Sequence, residues 1–282
     1  MNSTASSAIL CSLHDDGLIT TAAEPWFKVK VQLIQQYFHS FVTNVSGKVD
    51  DIIFVDLFSG SGIYSIGHKK ELFAATCLAS LQTHLPVTKW IFCEHSSENS
   101  KALKVRVNKY FKGKNVVIVE SRLDQAIDKF RSYVPQSKGS YKVAVFCLVD
   151  PFSIDIPFTT IDSLNDMGFS FLIPYNFSLN NRLDYKFYIK EQRDKLTKYL
   201  GGLHENFKES KSNHDFYKRV VRAHQNNILM LGLNTSLSVH KLDSGLMEMP
   251  YYYMGFASRQ LSPKVVRKEV LVESHHQLQL FH

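Results

Sequence analysis

The chain has 282 residues, of which 44% are apolar and 21% are charged, so wholesale disorder is excluded. The formal net charge of +7, with an isoelectric point near 9.1, favours a polyanionic partner such as nucleic acid, although a solvated basic surface explains it equally well. The four cysteines form no CxxC pair, which argues against a zinc ribbon. No apolar run approaches the roughly 20 residues of a membrane span, and the N-terminus lacks the basic region of a signal peptide. We therefore expect a cytoplasmic protein with no membrane partner.

Hydrophobic periodicity divides the chain into helices and strands. We expect residues 1–24 to be a loose lead-in and residues 25–282 to form a single domain. The elements predicted up to residue 176 are helices at 25–41, 70–84, 96–111, 122–134 and 157–166, and strands at 51–58, 89–94, 115–120, 142–150 and 168–176.

The order of these elements predicts the fold class. Strands that alternate with helices of about 10–15 residues indicate an α/β protein with a parallel sheet and helices on both faces. Helices are predicted at 184–200 and 214–232, and the basic stretch 101–114 is predicted to be a solvated helix face. Strands at 235–242 and 250–258, joined by a loop containing Gly245, predict an antiparallel hairpin at the sheet edge. The expected fold is therefore Rossmann-like.

The string FVDLFSGSG at 54–62 is the most informative in the chain. A buried strand ends at Asp56, and two glycines let the backbone turn sharply and approach a ligand at the carboxyl end of the sheet. Backbone amides in such a turn suit the carboxylate of a methionine moiety, and Asp56 suits its ammonium group. A turn that only connects two elements is the alternative. The residues that this hypothesis assigns to a cofactor are Asp56, Phe58, Ser59, Gly60 and Gly62.

Glu94 ends the predicted strand 89–94. A carboxylate at that point can accept hydrogen bonds from both hydroxyls of a ribose, and a surface glutamate that caps the strand is the alternative. The dinucleotide fingerprint G-x-G-x-x-G is incomplete, because Ser65 stands where its third glycine would be. Glu94 also lies 38 positions after Asp56, whereas the fingerprint expects an acid after about 20. The pattern favours S-adenosylmethionine over a nicotinamide or flavin cofactor.

Leu123 and Asp124 follow the third predicted strand of the sheet. An acid at this position can accept a hydrogen bond from the adenine amino group, while Leu123 packs against the ring. An aspartate that is favoured by the dipole at a helix N-terminus explains Asp124 equally well.

The string VDPFS at 149–153 ends the fourth predicted strand. Amino-methyltransferases have an Asp/Asn-Pro-Pro-aromatic string there, in which the carboxylate and the proline carbonyl accept hydrogen bonds from an exocyclic amine and the ring stacks on the base. Asp150, Pro151 and Phe152 resemble that string without its second proline, so they are the candidate catalytic residues. A strand-ending Asp-Pro turn is the alternative.

With these motifs the sequence resembles the three-Cys-motif partner protein family, whose members look like class I S-adenosylmethionine-dependent methyltransferases. The family's usual strings are closer to DLFAGPG and LDPYG, so the glycines and acids are kept and the final glycine is lost. The matching stretches are residues 25–41, 55–62, 92–94, 148–152, 180–182 and 251–258.

The resemblance implies a partner, a cysteine-motif iron-sulfur protein of the radical-S-adenosylmethionine type. The main hypothesis is a methyltransferase that acts on an amino group of a nucleic-acid base. The alternatives are a non-catalytic or partner-dependent subunit that keeps the cofactor site, and an enzyme that transfers a different part of S-adenosylmethionine.

Overall fold

The computed structural model describes residues 13–180, 182–202, 207–241 and 251–270. The chain divides into a first compact unit, Met1–Leu148 with Glu269–His282, and a second, Val149–Lys268. The predicted loop around Gly245 lies outside the described residues, and the single-domain assignment stays a prediction. Within the described ranges, none of the helices combines the length and the apolarity that a membrane span needs.

The elements of the first unit follow the predicted alternation closely. In chain order they are β1 Thr21–Ala23, α1 Trp26–Val45, β2 Asp51–Asp56, β3 Ile63–Ile66, β4 Glu71–Ala74, α2 Thr76–Leu81, β5 Lys89–Glu94, α3 Ser97–Tyr110, β6 Val116–Glu120, α4 Leu123–Tyr133 and β7 Val143–Leu148.

The main sheet of the first unit consists of four parallel strands in the order β6-β5-β2-β7. The register pairs Asp56 of β2 with Phe92 of β5, and Glu94 of β5 with Glu120 of β6. The central strands β2, β5 and β7 are almost wholly buried, which accounts for their continuous apolar sequences. Because neighbouring parallel strands run in the same direction, their carboxyl ends meet at one edge of the sheet.

Helix α1 covers this sheet with aromatic side chains. The ring of Phe38 lies 4.7 Å from that of Phe54 on β2 and 5.2 Å from that of Phe146 on β7, and Phe41 lies 5.3 Å from Phe146. All four rings are buried. Burying a phenylalanine side chain contributes roughly 1.5–3 kcal/mol, so this cluster anchors the helix predicted at 25–41.

The predicted helix at 70–84 is wrong in its first part, where the chain forms a strand. Strands β3 and β4 pair antiparallel with Ile63 opposite Ala74, and β1 pairs parallel with β3. The turn between β3 and β4 contains Gly67 and Lys70, both with positive φ, which reverses the chain and lets residues 71–74 pair. Only Thr76–Leu81 is helical, because the hydrogen-bonded partner strand overrides the local helical pattern.

The second unit contains a three-stranded antiparallel sheet in the order β8-β10-β9. The helix predicted at 184–200 is instead two short helices, which are separated at residues 191–192. The elements are α5 Phe158–Asp166, β8 Phe169–Tyr175, α6 Tyr185–Lys190, α7 Arg193–Leu200, a 3₁₀ turn at Phe207–Glu209, α8 Asn213–Met230, β9 Asn234–Lys241 and β10 Tyr251–Ser258, and residues 263–270 are helical.

A buried polar network links β8 to α8 in the second unit. Nε2 of Gln225 donates to the Tyr175 hydroxyl at 2.7 Å, and that hydroxyl lies 2.9 Å from Nδ1 of His224. The hydroxyl accepts from Gln225, and its own proton is available to Nδ1 of a neutral His224 ring. Tyr199 stacks on the ring with centroids 4.6 Å apart. Burial lowers the pKa of His224 to about 3.

We expect this histidine to make stability depend on pH. The unfolded chain takes up a proton at His224 below its ordinary pKa of about 6.5, whereas the folded chain does not until the pH is near 3. The free energy of unfolding should therefore fall as the pH drops from 6.5 towards 4, by up to about 1.4 kcal/mol per pH unit from this group. We expect the free energy of unfolding, measured with urea at several pH values between 7 and 4.5, to change less with pH in His224→Phe than in the wild type.

The matched control is the exposed residue His68. Its replacement by Gln should leave the pH dependence of the unfolding free energy as it is in the wild type. An equal pH dependence in wild type and His224→Phe would contradict a neutral, buried His224.

Candidate functional site

Asp56 ends β2 and begins a tight turn in the first unit. Its carboxylate is 2% exposed, and Oδ1 accepts a hydrogen bond from the backbone N–H of Phe58 at 3.0 Å. The hydroxyl of Ser59 donates to the Asp56 carbonyl at 3.1 Å, and the Ser59 N–H donates to the Cys93 carbonyl of β5 at 3.1 Å. The turn is thus fixed both by its own residues and by the neighbouring strand.

Gly60 and Gly62 of this turn differ in what surrounds them. Both have positive φ, +61° for Gly60 and +88° for Gly62. A Cβ on Gly62 would lie 2.9 Å from Cδ1 of Leu103 and 3.1 Å from Leu78, so these core side chains leave no room for it. A Cβ on Gly60 would meet only Oγ1 of Thr21 within 4 Å, at 3.4 Å. The absence of a side chain at Gly62 serves packing, and only Gly60 leaves backbone accessible to a ligand.

Glu94 lies at the carboxyl end of β5 and is 7% exposed. Its Oε1 accepts from the backbone N–H of Ser96 at 2.7 Å and lies 3.4 Å from Nδ1 of His95. Among the described residues, no hydrogen bond reaches its second oxygen, Oε2. A carboxylate with one oxygen anchored and the other unpaired is held in place and can accept hydrogen bonds from a ligand.

Ser121 is a residue that the sequence did not single out. It follows β6, and its backbone N–H donates to the Glu94 carbonyl at 3.1 Å, which holds the two residues side by side. Its hydroxyl oxygen is buried without a partner in the described part of the chain. Buried hydroxyls are normally paired, so the Ser121 oxygen is available to a ligand or a water molecule.

Leu123 and Asp124 are the first two residues of α4. Leu123 is half-buried, whereas the Asp124 side chain is 65% exposed. Oδ1 of Asp124 accepts from the backbone N–H of Gln125 at 3.1 Å and lies 3.4 Å from Nε of Arg122. These local bonds at a helix N-terminus are the alternative that the sequence left open, and a role in adenine recognition stays a prediction.

Three buried cysteines surround the end of β2 and offer no thiol chemistry. Burial raises the pKa of the Cys93 thiol to about 12, and the carboxylates of Glu94 and Asp56 add to the shift. Burial likewise raises the pKa values of Cys77 and Cys147 well above the ordinary value, and Asp56 adds to both shifts. At neutral pH all three are thiols rather than thiolates, so they act as small apolar side chains.

The candidate catalytic residues belong to the second unit. Val149 donates its N–H to the Leu172 carbonyl of β8 at 2.9 Å, which fixes the start of the loop. Asp150 is half-buried, Pro151 is buried, and Phe152 is 63% exposed. An aromatic ring with this exposure can stack on a flat partner. Pro151 also lines a small pocket together with Tyr175, Asn176, Tyr199 and His224.

Arg106 was also missed, and the prediction of a solvated helix face at 101–114 is wrong at this residue. Its side chain is fully buried. The sequence carried a signal, because Ala102, Leu103 and Val107 are buried as well and Arg106 falls on the same face of α3 at helical spacing. A basic residue inside an apolar stripe has a buried acceptor as partner, which the sequence does not name.

No family model matches the chain, and no curated protein matches it. The likeness to three-Cys-motif partner proteins is therefore a likeness of short motifs. The chain is similar to the crystal structure of a protein from Legionella pneumophila strain Philadelphia 1. The alignment covers 86% of this chain and 90% of the Legionella chain, at 9% identity and a TM-score of 0.51. At that identity the likeness shows the fold alone.

Two further solved structures are similar at lower scores. An O-methyltransferase from Bacillus cereus, solved with SAH, covers 80% of both chains at 9% identity and a TM-score of 0.43. Trm1 from Pyrococcus horikoshii, solved with S-adenosyl-L-methionine, covers 84% of this chain and 57% of that chain at 12% identity and a TM-score of 0.43. The predicted fold class is confirmed: the chain has a Rossmann-like α/β fold, with parallel strands, an antiparallel hairpin and flanking helices.

Proposed function

We propose that this protein binds S-adenosylmethionine in its first unit and transfers the methyl group to an amino group of a nucleic-acid base. One observation carries the cofactor assignment. Oε2 of Glu94 and Oγ of Ser121 lie at the carboxyl ends of adjacent strands, and neither has a partner among the described residues.

The chemistry of these two groups fits a ribose. Leaving the buried Ser121 hydroxyl unpaired costs roughly 1–3 kcal/mol, which supports a ligand that supplies a hydrogen-bonding group at this position. Oε2 of Glu94 can accept from both adjacent hydroxyls of a ribose, while the Ser121 hydroxyl can donate or accept. The anchored Oε1 keeps the carboxylate in one orientation, so little rotamer entropy is lost when a ligand binds.

The rest of the cofactor is assigned by the neighbouring elements of the first unit. Accessible backbone at Gly60 suits the carboxylate of the methionine moiety, and the half-buried side chain of Leu123 suits the adenine ring. Asp56 is proposed to hold the ammonium group. When bound, S-adenosylmethionine supplies a methyl group on a positively charged sulfur. The chain contributes mainly by proximity and orientation.

The substrate side rests on sequence position and on the exposure of one ring. Asp150 follows β7 by two residues, and in this hypothesis its carboxylate accepts a hydrogen bond from the amine and so orients it. Phe152, 63% exposed, offers a stacking surface for a base. The net charge of +7 supports a polyanionic substrate.

The resemblance to three-Cys-motif partner proteins supports a second candidate function. In it the chain binds S-adenosylmethionine as a partner-dependent subunit of a complex with an iron-sulfur protein of the radical-S-adenosylmethionine type. The cofactor site is the same in both functions, and the two differ in whether the isolated chain has transferase activity.

Replacing Glu94 by Gln tests the ribose assignment. The amide keeps an oxygen for the Ser96 N–H, but the group that replaces Oε2 can no longer accept a hydrogen bond. Isothermal titration with S-adenosylhomocysteine should therefore show affinity reduced by roughly 1–3 kcal/mol, or about 5- to 150-fold.

Glu120→Gln is the matched control, because Glu120 is the register partner of Glu94 on β6 and is exposed. It should bind S-adenosylhomocysteine like the wild type. Equal affinities for wild type and Glu94→Gln, or binding of NADH with no response to S-adenosylhomocysteine, would exclude the assignment.

Replacing Asp150 by Ala separates an enzyme from a binding subunit. If Asp150 orients the acceptor near the transition state, transfer of labelled methyl groups to RNA or DNA should fall by orders of magnitude, with unchanged affinity for S-adenosylmethionine. Asp155→Ala removes a nearby acid that pairs with Lys195, and it should retain activity.

Three other outcomes point elsewhere. A lower melting temperature together with weaker cofactor binding would indicate that Asp150 only braces its turn. Full activity with unchanged stability would exclude both roles. A wild-type protein that binds the cofactor but methylates no polynucleotide would favour the partner-dependent subunit.

A further inference from the structure

The guanidinium group of Arg106 in α3 is fully buried and all five of its N–H donors are used. Nε and Nη2 donate to the two carboxylate oxygens of Asp16, each at 2.8 Å, in a bidentate ion pair. Asp16 is 90 positions away in the chain and lies in the segment that the sequence predicted to be a loose lead-in. The described part of that segment is instead attached to the interior of the first unit.

The remaining donors of Arg106 reach backbone carbonyls on both sides of it. On one side Nη1 donates to Ile19 at 3.0 Å and Nη2 to Leu18 at 3.4 Å. On the other side Nη1 donates to the carbonyl of Ser61 at 2.6 Å. Since Ser61 stands between Gly60 and Gly62, one side chain joins the N-terminal segment to the glycine turn.

Two further contacts keep the segment against this turn. Oγ1 of Thr21 lies 3.3 Å from Oγ of Ser61, and it is also the nearest atom to the place where a Cβ of Gly60 would be. Strand β1, which begins at Thr21, pairs in parallel with β3, which begins immediately after the turn at Ile63. The segment 16–23 is therefore held to the turn at Thr21, and to the strand that follows the turn by β1.

We propose that Arg106 is a positioning residue for the cofactor site: through its ion pair with Asp16 it clamps residues 16–23 against the glycine turn and so presets the turn for the methionine moiety. The inference rests on the proposed function for the identity of the ligand. A turn whose carbonyl at Ser61 is already tied to the interior directs its other peptide groups without further ordering when the ligand binds.

The chemistry of the clamp requires an arginine and a carboxylate. Lysine has three donors on a single nitrogen, so it cannot serve a bidentate carboxylate and three carbonyls at once. Hydrogen bonds from the Arg106 guanidinium hold the pKa of Asp16 below its ordinary value, as expected for a carboxylate in an ion pair. Asparagine at position 16 would keep one acceptor, lose the charge and leave part of a buried guanidinium unpaired.

The experiment compares Asp16→Asn with Asp15→Asn. The two aspartates are neighbours, and each accepts a backbone N–H two residues on, Leu18 for Asp16 and Gly17 for Asp15. Only Asp16 contacts Arg106. Each variant therefore loses one charge and keeps an amide oxygen that can accept its local backbone N–H, so the two variants differ in the clamp. Asp16→Glu, which can restore the ion pair, is the rescue variant.

Hydrogen exchange of the ligand-free proteins is measured at the amides of 59–66, and the dissociation constant of S-adenosylhomocysteine by titration. We expect Asp16→Asn to accelerate exchange in the turn and to raise the dissociation constant about tenfold. Asp15→Asn should match the wild type, and Asp16→Glu should recover at least part of both effects.

Unchanged exchange in the turn of Asp16→Asn would overturn the clamp, whatever the binding result. Faster exchange with unchanged affinity would overturn its role toward the cofactor. If the wild-type protein does not bind S-adenosylhomocysteine, the proposed function fails, and the exchange measurement still decides whether Arg106 orders the turn.

Discussion

The turn between β2 and β3 is held from three directions by the interior of the first unit, and the candidate site depends on that constraint. The Cys93 carbonyl of β5 accepts from Ser59, the guanidinium of Arg106 donates to Ser61, and the core fills the space beside Gly62. Each contact pairs a polar group or fills a volume that the interior cannot leave empty, so the turn has little freedom to relax. At Gly60 only Oγ1 of Thr21 would lie within 4 Å of a Cβ, so the backbone there is accessible to a ligand.

The parallel sheet extends this constraint to the neighbouring strands. Because β5 and β6 end at the same edge, Glu94 and Ser121 are brought together, and a backbone hydrogen bond fixes their spacing. Oε2 of Glu94 and the hydroxyl of Ser121 are thus polar atoms at this edge that make no hydrogen bond within the described part of the fold. A ligand that brings hydroxyl groups to this edge satisfies both atoms, which is the physical content of the cofactor proposal.

The positions of the buried parallel strands were predictable from the sequence, because such strands are continuous apolar runs that stop near a polar residue. This rule located Asp56 and Glu94 before the structure was known. It could not find Ser121, since a single hydroxyl after a strand has no pattern, nor the ion pair of Arg106 with Asp16, whose residues are 90 positions apart. Residues 71–74 were misassigned because their strand depends on a partner, β3, that local periodicity does not reveal.

A crystal structure of the protein with S-adenosylhomocysteine would show directly which groups bind the ribose. We expect the two ribose hydroxyls to lie within hydrogen-bonding distance of Oε2 of Glu94, with Oε1 still bonded to the Ser96 N–H. A ribose bound elsewhere, or a ligand that leaves both Oε2 of Glu94 and the Ser121 hydroxyl unpaired, would contradict it.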